Sequence, residues 1–285
     1  MFNPGDRVIV FAPAGAVREA DLETGLDILR KWGLEPRVSE TCRSRYRYLA
    51  GDDKLRGEEL RRLLEEERDC VLWAARGGFG SARLLPRLED LFPGRKSPIL
   101  LGFSDLTALL NYLVIRGFRA WHAPTVSFLG KMHPGAREEL RRLLFGEKIP
   151  LLCGIALREG TVEGPLFGGN LATLSALVGT PYFPELRGAI LFLEDTGEAL
   201  YRLDRYLTHL ALAGIFQKIK GLVLGDLGHP LEAIFPILEE ILPSHLPVAA
   251  GFPLGHLPGT QAFPLGERAR LEVRGGRAFL TQAYD

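Results

Sequence analysis

The sequence predicts an α/β fold: an N-terminal parallel-sheet domain carrying a serine at a sharp turn, then a smaller α/β C-terminal domain. Three observations carry this. Short apolar runs alternate with helical patterns through the first half, which reads as a parallel sheet with helices on both faces. One such run, Ser97-Pro-Ile-Leu-Leu-Gly-Phe-Ser104-Asp105, switches abruptly to the helical pattern Leu106-Thr-Ala-Leu-Leu-Asn-Tyr-Leu113. After an aperiodic stretch the alternation resumes in a new form. Residues 1–130 are therefore read as the first domain, 131–160 as a connector and 161–285 as the second domain.

The elements follow in order. Arg7-Val-Ile-Val-Phe-Ala12 is a strand ended by Pro13-Ala-Gly15, and Ala20 to Trp32 is a helix closed by Gly33. Glu59 to Glu67 is a charged amphipathic helix, and Cys70 to Ala75 the next strand. A glycine-rich turn and a helical piece, Ala82 to Leu88, precede the Ser104 strand and its helix; Arg119 to His122 is a further strand. The connector holds a short charged helix, Ala136 to Leu144. Beyond it, Gly168-Gly-Asn170 opens a helix, Ala189 to Leu193 is a strand ending at Glu194-Asp195, and Glu198 to Ala213 is a long helix. Lys220 to Gly225 and Pro247 to Ala250 are strands, and Arg268 to Leu280 is a hairpin turning at Gly275-Gly276.

Composition narrows the classes. The 35 basic and 35 acidic residues cancel, which leaves no global field for nucleic acid or an acidic membrane. No apolar stretch approaches the roughly 20 residues that span a bilayer. The start, Met1-Phe-Asn-Pro-Gly-Asp-Arg, lacks the pattern of a secretory leader, so a cytoplasmic protein is expected. Cys42, Cys70 and Cys153 are odd in number and far apart, which argues against a disulfide framework or zinc site.

In parallel sheets, ligands sit beyond the carboxyl ends of the strands. Ser104 lies at such an end, either as a helix N-cap or as a nucleophile beside free helix-start N–H groups. Arg76-Gly-Gly-Phe-Gly80 lies at another. Its glycines leave backbone N–H groups uncovered, as a simple turn, a dinucleotide-binding turn or an oxyanion hole. The dinucleotide spacing fails, because Arg83 stands where Gly or Ala is needed. A serine nucleophile needs a base, and His256, in the Gly- and Pro-rich loop Gly251 to Gly259, is the best placed. His122, in Trp-His-Ala-Pro124, is second. A carboxylate at the end of an apolar strand needs a partner, which makes Glu194 the candidate orienting acid and Asp195 its competitor. The alternative for Glu194 is a cap, or an ion pair with Arg202 or Arg205.

Together these pieces resemble the LD-carboxypeptidases, serine peptidases that include murein tetrapeptide carboxypeptidases and microcin-immunity peptidases. The marks are Arg76-Gly-Gly-Phe-Gly80, Gly102-Phe-Ser-Asp105, Gly168-Gly-Asn-Leu171, Leu193-Glu-Asp-Thr-Gly-Glu198 with Tyr201-Arg202 and Asp204-Arg205, and Gly255-His256 followed by Pro264-Leu-Gly266. The resemblance implies Ser104 as nucleophile, Glu194 as orienting acid and His256 as base. It implies an oxyanion hole from the N–H of Asp105 and one glycine N–H, assigned here to Gly78. It implies a homodimer, no metal or organic cofactor, and release of the terminal D-alanine from the L-centre of the preceding diamino acid in a murein tetrapeptide. Arg76 is the candidate for the product-side carboxylate, with a surface salt bridge as its alternative. Two departures, Phe79 where Tyr is usual and Ala123 where Gly is frequent, bear on substrate fit and not on the triad. Rival readings are another amide or a microcin-like acyl-adenylate as substrate, or a binding module with a degenerate hydrolase site.

Overall fold

Parallel pairing organises the first half of the chain. In the computed structural model, which describes residues 2–283, β1 (Arg7–Phe11), β2 (Glu35–Val38), β3 (Val71–Ala74), β4 (Ile99–Gly102) and β5 (Arg119–His122) lie in the order β5-β4-β3-β1-β2, all parallel. Three helices make the crossovers: α1 (Glu19–Lys31), α2 (Asp53–Glu66) and α3 (Thr107–Ile115). In α1, Leu22, Leu26 and Leu29 recur at helical spacing and are all buried, each contributing about 1.5–3 kcal/mol over an exposed position. α2 begins six residues earlier than its charge pattern suggests, because the Asp52 side chain accepts from the Leu55 N–H at 2.8 Å and caps it. The piece at 82–88 is a 3-10 turn containing Pro86. β2 has no counterpart in the sequence reading; it is a half-exposed edge strand, Glu35-Pro-Arg-Val, where proline is tolerated and no apolar run is needed.

The second half closes a barrel. α4 (Pro134–Leu144) leads to β6 (Leu151–Arg158), β7 (Gly160–Asn170), β8 (Ile190–Glu194), β9 (Gly221–Leu224) and β10 (Val248–Ala250). β11 (Phe263–Leu265) returns to the first sheet, antiparallel to β5, and β12 (Arg268–Arg274) and β13 (Arg277–Gln282) form the expected hairpin. The barrel order is β10-β6-β13-β12-β7-β8-β9. Its helices are α5 (Leu171–Ser175), α6 (Leu200–Leu212) and α7 (Leu231–Ile241).

Two expectations are corrected here. The stretch 131–160 is not only a connector: 151–158 is β6, a full member of the barrel. Leu151, Cys153 and Ile155 are apolar yet exposed, so the two-residue alternation that marks a half-buried strand is absent. Residues 161–285 are likewise not wholly separate, because β11 extends the first sheet. α7 has no counterpart in the sequence reading; Pro230 at its cap and Pro236 inside it are breaker signals that tertiary packing of Ile234 and Leu238 overrides.

The two halves are stitched at α3. Asn111 donates to the Gly168 carbonyl at 2.8 Å and accepts from the Gly168 N–H at 3.1 Å. Thr107 Oγ1 accepts from the Asn170 N–H at 2.9 Å. These groups are buried, and each bond satisfies a backbone group at the end of β7. Asn170 is in turn the β-sheet partner of Glu194. The helix that follows Ser104 is thus tied to the strand beside Glu194.

Candidate active site

Ser104 sits where β4 gives way to α3. Its φ is +65°, in the left-handed region that non-glycine residues seldom occupy, and such strain collects at functional turns. Its hydroxyl does not cap the helix: neither the 3-10 turn at 104–106 nor α3 has a side-chain cap. Gly77 lies directly against it; a Cβ there would stand 2.8 Å from the Ser104 Cβ and 3.0 Å from its Oγ. The glycine turn is braced from behind. Asp105 Oδ2 accepts from the Ser81 N–H at 2.8 Å, and the Ser81 hydroxyl donates to the Asp105 carbonyl. Burial pushes the Asp105 carboxyl up, opposed by these bonds. Arg56, fully buried, donates to the carbonyls of Gly80 at 3.0 Å, Gly51 at 3.2 Å and Pro13. No α-helix follows the glycine turn, which leaves a dinucleotide phosphate without the helix N-terminus it would use.

Glu194 ends β8 and is fully buried. Its Oε2 meets His256 Nδ1 at 2.9 Å. Burial raises the Glu194 carboxyl above its usual range, the His256 contact opposes this, and the charges of Asp195 and Asp226 add to the rise. Gly255 lets the loop backbone close on the carboxylate: its φ is +113°, and a Cβ would lie 2.8 Å from Glu194 Oε2. The competitor Asp195 faces elsewhere, accepting from the Asn170 side chain and the N–H groups of Ala172 and Thr196. Arg202 pairs with Glu198 and not with Glu194.

The His256 ring is tilted on Phe103 with centroids 4.6 Å apart and meets Phe128 edge-on at 6.4 Å. The second candidate base, His122, does not reach the crevice. It is buried between Phe103 and Phe192, and desolvation, with the charge of His256 adding, pushes it down to about 3. It is neutral at ordinary pH and its Nε2 has no hydrogen-bond partner among the described residues.

Ser104 and His256 line one open cavity of about 540 Å³, together with Arg76, Gly77 and Gly78. With Nδ1 engaged by Glu194, His256 is left Nε2 for the cavity. Arg76 donates to the Ala16 carbonyl and forms no surface salt bridge among the described residues. The Asp105 carboxylate faces Ser81, away from the cavity. Sequence reasoning missed Arg56, Thr107 and Asn111, the groups that brace the two turns; a lone Arg in a charged helix and a Thr and Asn in an apolar one give no pattern. It also missed Phe128 and Lys131, which line the cavity from the 3-10 turn Val126–Lys131.

The chain matches two family profiles: the LD-carboxypeptidase N-terminal domain over residues 8–123 and the LD-carboxypeptidase C-terminal domain over 163–271. It is 35% identical over 284 residues to a putative carboxypeptidase of Synechocystis, covering 96% of this chain and 94% of that one. It is 34% identical over 272 residues to the murein tetrapeptide carboxypeptidase of Pseudomonas aeruginosa, covering 86% and 88%. The crystal structure of muramoyltetrapeptide carboxypeptidase from Oxalobacter formigenes superposes with a TM-score of 0.84 at 27% identity, covering 97% of this chain and all of that one. With both domains matched and relatives spanning nearly its whole length, the chain belongs to the LD-carboxypeptidase family and is a serine-type hydrolase.

Proposed function

We propose that Ser104, His256 and Glu194 form a catalytic triad that removes the terminal D-alanine from murein tetrapeptides. The observation that carries this is the 2.9 Å Glu194–His256 contact, made by a fully buried carboxylate, with its histidine opening on the same cavity as a strained serine. The relatives of known substrate supply the substrate class: the Pseudomonas enzyme is a murein tetrapeptide carboxypeptidase and the Oxalobacter structure a muramoyltetrapeptide carboxypeptidase.

Neutral His256 takes the Ser104 proton on Nε2 as Oγ attacks the amide carbonyl. Negative charge develops on the carbonyl oxygen, which the N–H groups of Gly78 and Asp105 receive; losing one such donor costs about 10²–10³ in rate. His256 then protonates the leaving D-alanine amine and the C–N bond breaks. Water, deprotonated by His256, attacks the acyl-enzyme, and Ser104 regains its proton. Glu194 holds the imidazole tautomer and stabilises the imidazolium without itself taking the proton. The homodimer belongs to the same proposal, and sedimentation tests it.

The test is mass-spectrometric detection of D-alanine from murein tetrapeptide, with Ser104→Ala and His256→Ala beside wild type. Release by wild type, with each variant down by about 10³-fold or more and folded by circular dichroism, is expected. Turnover by Ser104→Ala at the wild-type rate ends the nucleophile assignment. Silence from wild type on tetrapeptide, together with labelling of Ser104 by a serine-directed acylating probe, moves the substrate to another amide or an acyl-adenylate.

A further inference from the structure

The cavity carries three cations, and they are not equivalent. Arg18 is spent in a bidentate pair with Asp21 at 2.8 and 3.0 Å. Arg76 uses one amino group on the Ala16 carbonyl and immediately precedes Gly77 and Gly78, which places it on the wall that receives the substrate's carbonyl oxygen. Lys131 is exposed, lines the cavity, and has no hydrogen-bond or ion-pair partner among the described residues.

Local geometry puts Lys131 on the His256 side of the cavity. It closes the 3-10 turn Val126–Lys131, and in such a turn side chains three apart stand one above the other. Three residues before Lys131 is Phe128, whose ring meets His256 edge-on at 6.4 Å. Lys131 therefore rises over the residue that flanks the imidazole. The turn is fixed there by close packing on α1: a Cβ at Gly25 would fall 2.2 Å from the Val126 carbonyl oxygen, and one at Gly130 would fall 2.7 Å from Thr24 Cγ2. The chemistry supplies the direction. The base that protonates the leaving amine must face it, so the leaving amino acid lies on the His256 side and the acyl portion on the glycine side.

Resting on the peptidase reading above, we infer that Lys131, and not Arg76, receives the carboxylate of the departing D-amino acid and makes the enzyme an exopeptidase. Arg76 is left to the acyl portion. A flexible ammonium suits this task, because it follows a small carboxylate that leaves with the product.

The experiment compares kcat/KM on murein tetrapeptide and on its C-terminal carboxamide for wild type, Lys131→Ala, Lys131→Arg and Arg76→Ala. Wild type prefers the free acid. Lys131→Ala reduces that acid-to-amide ratio by roughly 10- to 100-fold, the size of one charge-assisted hydrogen bond, chiefly through KM. Lys131→Arg restores most of it, and Arg76→Ala lowers activity on both substrates while keeping the ratio. A ratio kept by Lys131→Ala and lost by Arg76→Ala overturns the assignment, as does a wild-type ratio near one. Wild type inactive on both peptides removes the murein-tetrapeptide reading, and this inference with it.

Discussion

The two halves of the molecule hold their site residues by different means. Ser104 is held by backbone: a left-handed turn, a glycine packed on its Cβ, and a bracing layer of Arg56, Ser81 and Asp105. Glu194 and His256 are held by side chains: a fully buried carboxylate bonded through one oxygen to the imidazole, and a ring tilted on Phe103. A backbone-held residue is sensitive to volume beside it, because protein interiors leave no slack. A side-chain-held pair is sensitive to charge and tautomer, because burial removes water as a substitute partner. Substitutions in the two regions should therefore fail in different ways.

The largest effect is expected from Glu194→Gln. The shape is kept and the charge is lost, and an amide that donates to Nδ1 selects the wrong tautomer; the equivalent change in a serine protease triad costs about 10⁴ in kcat. Burial disfavours the ionised carboxyl, so the same variant should melt no lower than wild type near neutral pH. Kinetics and melting on one sample check both halves of this. Activity within tenfold of wild type would show that Glu194 does not orient the base.

Gly77→Ala tests the backbone-held half. No left-handed φ stands at Gly77, so alanine is conformationally allowed, but its Cβ would press on Ser104 at 2.8 Å and on the Phe103 carbonyl oxygen at 3.3 Å. Displacing a nucleophile by about 1 Å costs about 10²-fold, and the overpacking costs about 1–3 kcal/mol of stability. Gly259→Ala, in the loop of His256, meets nothing within 4 Å and is the control. Equal kcat in the two variants would mean that Ser104 is not set by its glycine neighbour.

How far the sequence reveals each half follows from the same contrast. The Ser104 turn was legible because a strand period ends and a helix period begins within four residues, Gly102 to Asp105. The Glu194 strand end was legible because a carboxylate closes an apolar run. The barrel was not, since β6 is apolar on both faces and β7, Gly160–Asn170, contains four glycines and a proline, which read as loop. Nor was the stitch between halves: Thr107 and Asn111 act through partners 63 and 57 residues away, respectively, and no local spacing encodes such a pairing. The resemblance already favoured Glu194 over Asp195; the fold adds the reason, since Glu194 meets His256 while Asp195, just past the strand end, is taken up by Asn170, Ala172 and Thr196.

His122 gives the smallest effect and separates burial from catalysis. It lies under the site, packed on Phe103 at 6.0 Å and Phe192 at 4.8 Å, where burial and then the nearby charge of His256 disfavour its protonation. Its pKa is pushed from the ordinary 6.5 to about 3. Between those values the unfolded chain binds a proton that the folded chain does not, so stability rises with pH across that window. The contribution is fully present above pH 6.5 and is lost as pH falls toward 3. At pH 4.5 this amounts to about 2–3 kcal/mol, at about 1.4 kcal/mol per unit. His122→Phe keeps an aromatic ring in the same apolar pocket and removes the proton site. The raised carboxyls of Asp105 and Glu194 act with the opposite sign in both proteins and cancel in the comparison. Melting wild type and His122→Phe at pH 7 and pH 4.5 should show a smaller acid-induced loss in the variant. Parallel losses would mean that the buried imidazole is protonated in the folded state, and that the floor of the site is wetter than its packing implies.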